Sequence, residues 1–320
     1  MAILLDPPSL TRRARPSTAA CWFVVYIALV IVGGALLGGW LLHGPMVSES
    51  GFRYGLAEEY GPDRIVRRLQ TVLAILLAPL LLKKIGWRGV NDLGWRSEQT
   101  RPERKWDFIR WFVIGLVLMA VLFTLSLTSG IREWLPFSFG RWVGRFITAF
   151  LITGIGVGFI EETLTRGVLY RSMARVWTPW VGAVVSSGIF AWAHFMKATD
   201  ASFLEGPLAV LQSSLFDEFA RDVTRLKFLN MFLFGLVLCR LVRHRGDIWA
   251  AVGLHAAAVG AFKWFSRQTR FVPEAGYQAW LGGHSSKFDD GWAMALMLTL
   301  VLFVNEAYHA TRPSKLRVDI

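Results

Sequence analysis

Eight apolar blocks of roughly bilayer length divide this chain, and they restrict its folding more than any other property. They run over about 20–42, 69–82, 108–128, 143–162, 180–197, 228–243, 248–265 and 292–308, where a spanning helix takes roughly 20 residues. Blocks two and six are short and borrow length from their polar flanks. Hydrocarbon offers no partner for a free backbone N–H or C=O, so every block reads as a helix. The expected fold is all-α: a polytopic membrane protein with about eight transmembrane helices in one bundle. A hydrophobic content of 54% over 320 residues, with 15 Trp, fits that setting. The expected organisation is a cytoplasmic tail at 1–19, a membrane domain at 20–310 and a second cytoplasmic tail at 311–320. The first block is too long for a typical signal-peptide core and reads as a retained anchor. There is no internal repeat.

The formal net charge of +12 raises nucleic acid as a partner, but its distribution argues against that. With the N-terminus inside, the inner side collects Arg12, Arg13 and Arg15, the basic loop between Lys83 and Arg110, then Arg166, Arg171, Arg175, Arg240, Arg243, Arg245, Arg312, Lys315 and Arg317. That is 20 of the 35 Lys and Arg. The acidic connection carrying Asp200, Glu205, Asp217, Glu218 and Asp222 falls outside. This is a moderate positive-inside bias with both termini cytoplasmic. The same outer connection carries Leu208, Leu211, Leu215, Phe216 and Phe219 at helical spacing. It reads as a membrane-surface helix or lid, or else as a helix packed on the bundle. Cys21 and Cys239 sit in apolar blocks as small hydrophobes, with no disulfide or metal spacing.

Function is signalled by polar residues inside the blocks. Glu161 and Glu162 are adjacent in Phe159-Ile160-Glu161-Glu162-Thr163-Leu164-Thr165-Arg166, while His194 and His255 lie in two later blocks. Charge in hydrocarbon is expensive, and intramembrane ionisable groups mark functional sites. Glu162 and Arg166 are four apart, so they share a helical face and pair as a structural staple. Glu161 lies about 100° round the helix and is left available as a general base or acid. Trp177-Thr178-Pro179 reads as a hairpin turn with Glu161 and His194 about 24 Å from it on either arm. His255 enters from the Gly246-Asp247 turn. Taken alone, an intramembrane His is more often a helix-to-helix hydrogen-bonding residue. Three polar groups on three apolar helices instead call for a shared cavity. His43, His244, His284 and His309 lie at block ends or in loops and read as solvated.

These residues resemble a known family. Glu161-Glu162-x-x-x-Arg166-Gly167, then Phe190-x-x-x-His194, then His255 within Trp249-Ala250-Ala251-Val252-Gly253-Leu254-His255, are similar to the three motifs of the CAAX protease and bacteriocin-processing family, which includes the type II CAAX prenyl endopeptidases. Phe228-x-x-x-Phe232-x-x-Gly235 fits the usual approach to the third motif. The resemblance covers about 143–265. It implies an intramembrane endopeptidase in which Glu161 and His194 activate water and His255 helps hold the oxyanion, with Glu162, Arg166 and Phe190 in support. It implies either no cofactor or a zinc ion held by Glu161, His194 and His255. No second His stands one turn from His194, where Phe190 lies instead, which favours the metal-free version. Membrane lipid and a membrane-associated or lipidated peptide or protein substrate are the implied partners. A bacterial inner membrane is the expected location.

One departure bears on activity. The family commonly places Asn four residues after the third-motif His, and here that position is Val259, which donates no hydrogen bond. Lys263, a turn further on, or a residue from another helix is then needed as the second donor. Two other classes stay open. One is a catalytically inactive relative serving as a membrane scaffold. The other is a proton-coupled transporter or channel using Glu161, His194 and His255 as a relay, which calls for polar residues continuing across the membrane. Blocks four and five offer mainly Thr148, Thr153, Ser186 and Ser187.

Overall fold

A computed structural model describes residues 16–43, 62–86, 93–95, 104–196, 206–216, 224–272, 278–281 and 290–311. Every apolar block is a helix. In chain order these are α1 (Pro16–His43), α2 (Pro62–Lys84), α3 (Arg104–Thr128), α4 (Phe139–Val176), α5 (Pro179–Ala193), α6 (Pro207–Phe216), α7 (Thr224–Arg245), α8 (Trp249–Gln268) and α9 (Trp292–Ala310). α6 is the extra helix, from the long connection. Among the described residues the strands are β1 (Arg132–Trp134) and β2 (Thr269–Phe271), an antiparallel pair linking the loop after α3 to the end of α8.

Among the described residues five helices are long and apolar enough to cross a membrane: those within α1, α2, α3, α4 and α9. The expected count of eight spans is therefore not reached on length and composition, and the reasons are local. α5, with 15 residues, is about 22 Å long against a hydrocarbon core of about 30 Å. α7 begins and ends in Arg, Lys and His. α8 is rich in Ala and Gly, and most of its residues are buried inside the bundle. Hydropathy marks helices that face lipid, and α8 is shielded from it.

α8 is the axis of the molecule because small residues let its neighbours come close. A Cβ built on Gly253 would stand 2.3 Å from the Phe108 carbonyl oxygen of α3, and one on Gly154 of α4 would stand 2.6 Å from the Ala256 carbonyl oxygen. Either side chain would force the helices apart. The main core then fills from α3, α4, α5, α7, α8 and α9, with Phe123 stacked on Phe265 at 3.9 Å between centroids. α1 and α2 form a second layer against the later part of α4. α6 packs on α1, burying Val210, Ser213 and Ser214 and leaving Leu208 and Phe216 exposed. It is therefore a helix packed on the bundle, with apolar Leu208 and Phe216 facing away from it. Phe219 lies outside the described residues.

α4 is not uniform. Its segments Thr148–Val157 and Thr163–Tyr170 are wound as π-helix, and the α-helical turn Gly158–Glu162 sits between them. π-winding inside a longer helix is rare and frequent at functional sites. Its wider turns also mean that equal residue counts on α4 and α5 do not give equal depths. The hairpin after α4 closes as the sequence predicts: Thr178 Oγ1 accepts from the Val181 N–H at 3.2 Å, and Pro179 opens α5.

Several cations counted towards the positive-inside bias are internal. Arg171 is buried and donates to the Gly246 carbonyl at 2.9 Å. Arg240 is buried with both nitrogens on Glu306, at 2.8 and 2.7 Å. His244 meets the same carboxylate at 3.0 Å and stacks on His309 at 3.9 Å, so these two histidines tie α7 to α9 rather than lying in solvent. His284 lies outside the described residues.

Candidate active site

The second glutamate of the pair is sealed in the bundle. The side chains of Glu162 and Arg166 both have no solvent exposure, and Arg166 Nη1 donates to Glu162 Oε1 at 2.9 Å. The four-residue spacing thus forms the pair it predicts. The guanidinium is held on its other sides as well. It lies 4.3 Å from the centroid of the Phe190 ring, donates to Thr165 Oγ1 at 2.6 Å and reaches the Gly235 carbonyl at 3.4 Å. Gly235 permits that last contact, since a Cβ there would stand 2.9 Å from the Ser187 Cβ across the α5–α7 crossing.

Glu162 makes a second bond that spacing does not reveal. His255 Nδ1 lies 2.6 Å from the same Oε1. The other ring nitrogen of His255 faces Glu161, with Nε2 3.6 Å from Oε2. That is beyond a good hydrogen bond. His255 is thus set between the two carboxylates, and they differ sharply: the Glu161 side chain is 36% exposed and that of Glu162 is fully covered. Glu161 is the accessible carboxylate of the pair, as its position round the helix predicts.

His194 enters from the end of α5, at the helix cap and not inside the helix. Its Nδ1 lies 2.8 Å from the Phe190 carbonyl oxygen. A carbonyl only accepts, so Nδ1 carries the proton and Nε2 is the basic nitrogen. Phe190 organises both histidines. Its ring meets that of His194 at 4.5 Å and that of His255 edge-on at 6.1 Å, with Arg166 over its face. Phe234 of α7 closes the remaining side of His255 at 5.5 Å. Phe234 is a site residue that sequence reading misses, because one apolar residue within an apolar helix carries no signal.

Val259 is half-buried one turn beyond His255, and Lys263 is exposed a turn further on. Among the described residues no three His, Cys, Asp or Glu side chains are grouped to hold a metal ion. His255 in particular turns both nitrogens toward carboxylates.

The turn Leu93–Trp95 covers one end of the site. Trp95 Nε1 donates to Thr163 Oγ1 at 3.1 Å, and Trp249 Nε1 donates to the Trp95 carbonyl at 3.0 Å. Gly94 has φ +78°, a left-handed conformation that favours glycine. Gly167 of the first motif accommodates this turn, as a Cβ there would stand 2.7 Å from the Leu93 carbonyl oxygen. On one flank of Phe159 an apolar groove of about 930 Å³ runs between α3, α4 and α8, lined by Trp95, Phe108, Ile155, Phe159, Trp249 and Val252 with Lys105 at its edge. A second apolar groove of about 300 Å³ lies on the α2 side, again against Trp95 and Phe159.

The fold defines a helical membrane protein with a Glu–Arg–His cluster inside the bundle. Residues 142–260 match the family model described as type II CAAX prenyl endopeptidase Rce1-like. This part of the chain is therefore similar to that family, close to the span that the three motifs predict. Nothing among the curated proteins or the solved structures matches the chain.

Proposed function

We propose that this protein is an intramembrane endopeptidase that hydrolyses a peptide bond in a lipidated or membrane-associated substrate. The observation that carries this reading is the accessible Glu161 carboxylate beside the sealed Glu162, with His255 between them. Glu161 removes a proton from water as the water attacks the scissile carbonyl. A positioned general base typically contributes about 10²–10⁴-fold. His194 presents Nε2 to the same water. His255, with Nδ1 against Glu162, donates from Nε2 to the developing oxyanion, the kind of contact worth a few kcal/mol of barrier. Glu161 then passes its proton to the leaving amine. Val259 supplies no donor, and the cationic Lys263 side of the site is our candidate for the second one.

The apolar groove at Phe159 and Trp249 suits a lipid chain or apolar segment attached to the substrate, because its walls offer area and almost no hydrogen-bonding partners. We place the protein in a bacterial inner membrane with both termini cytoplasmic. Reporter fusions at either end would reverse that placement if they were active only outside.

The test is cleavage of prenylated, acylated and unmodified membrane-anchored peptides by the purified protein in detergent, read by mass spectrometry, with and without a strong chelator. One defined cut that survives chelation is expected. A cut abolished by the chelator and restored by zinc would overturn the metal-free step. Absence of any cut by folded protein would favour the inactive-scaffold reading, with Val259 the first residue to change to Asn.

A further inference from the structure

We infer that Glu162 is a positioning residue for His255, and not only the counter-ion of Arg166. Three observations carry this. His255 Nδ1 and Arg166 Nη1 both reach the same oxygen, Glu162 Oε1, at 2.6 and 2.9 Å. All three side chains are almost wholly covered, so water does not compete for these bonds. Arg166 is itself fixed by the Phe190 ring and the Gly235 carbonyl, so the oxygen that His255 meets is held from α5 and α7 as well as from α4.

The consequence for His255 is specific. Glu162 accepts from the guanidinium, and toward the imidazole it acts as an acceptor too. The proton of Nδ1 is therefore committed to Glu162. Nε2 is the nitrogen turned to the Glu161 side, 3.6 Å from Oε2. The rings of Phe190 and Phe234 pack edge-on against the imidazole and restrain its rotation. A histidine on an apolar helix can turn either ring nitrogen to a given side. The Arg166–Glu162 pair selects one ring orientation, just as a carboxylate behind an imidazole fixes the orientation of the nitrogen that does the work. This also explains why a buried ion pair stands beside the accessible glutamate. If its role were stability alone, apolar residues of similar volume would serve as well or better.

The inference rests on the proposed reading of the site for its catalytic consequence, but its structural content is separately measurable. The experiment records imidazole ¹⁵N signals of His255, assigned with His255→Gln, in full-length protein in nanodiscs. It compares wild type, Glu162→Gln and Glu162→Met/Arg166→Met. The double variant removes both charges together and leaves no unpaired buried ion, which protects folding. The expected result is a protonated Nδ1 in wild type and loss of that single signature in the double variant. Turnover, where measured, should show kcat lower by about 10- to 100-fold with KM unchanged. An identical His255 signature in wild type and the double variant would overturn the inference, as would a changed signature with unchanged kcat. If no peptide is cleaved by wild type, the endopeptidase reading fails, while the ¹⁵N signature still decides the role of Glu162.

Discussion

Glu161 and Glu162 are neighbours in sequence and opposites in environment. A rotation of about 100° round the helix separates a partly exposed carboxylate from one that never meets solvent. Much of this was legible in the chain. The i,i+4 relation of Glu162 to Arg166 predicts their pair, and the positions of His194 and His255 in separate apolar blocks predict convergence. The second bond of Glu162, to His255, was not legible, because it joins residues 93 apart and depends on which face of α8 meets α4. At this scale the prediction concerns Arg166. Replacing it by Ala leaves Glu162 charged and unpaired in a covered site, a class of change that costs about 3–5 kcal/mol. Thermal unfolding in detergent should show a much lower midpoint for Arg166→Ala and a smaller loss for the Glu162→Met/Arg166→Met double variant. Equal midpoints for wild type and Arg166→Ala would mean that the pair carries no such load.

Among the elements, α8 has the least conspicuous sequence and the most central place. Its Ala and Gly content lowers its hydropathy below that of a lipid-facing span, and the same residues let α3 and α4 pack against its backbone. Block boundaries were readable from composition. What hydropathy could not give was which helices are shielded from lipid, nor the π-winding on both sides of Gly158–Glu162, because helix winding follows from tertiary packing as well as local propensity. The basic residues mislead for a related reason. Arg171 and Arg240 look like interfacial anchors in sequence, yet both are buried and hydrogen-bonded across helices. Gly253→Val tests the role assigned to α8. Its Cβ would meet the Phe108 carbonyl oxygen at 2.3 Å, and overpacking of this kind typically costs about 1–3 kcal/mol. The variant should unfold at lower temperature and lose the monodisperse peak on gel filtration in detergent. A Gly253→Val protein as stable as wild type would contradict the close α3–α8 crossing.

For the whole molecule, a bundle built round α8 holds an acid–base cluster next to apolar grooves, and a turn carrying two linked tryptophans covers one end. The family-model match over 142–260 falls on α4, α5, α6, α7 and the first part of α8, and α4, α5, α7 and α8 supply every residue of the cluster. α1, α2, α3 and α9 lie outside the matched span. In the proposed reaction Glu161 activates water for peptide hydrolysis while Glu162 and Arg166 hold the site in shape. The most direct measurement compares turnover of the same membrane-anchored peptide by wild type and Glu161→Gln, with both proteins matched for thermal unfolding midpoint. Loss of a general base predicts a fall in kcat of about 10²–10⁴-fold with an unchanged midpoint. A Glu161→Gln protein that cleaves at the wild-type rate would contradict the account.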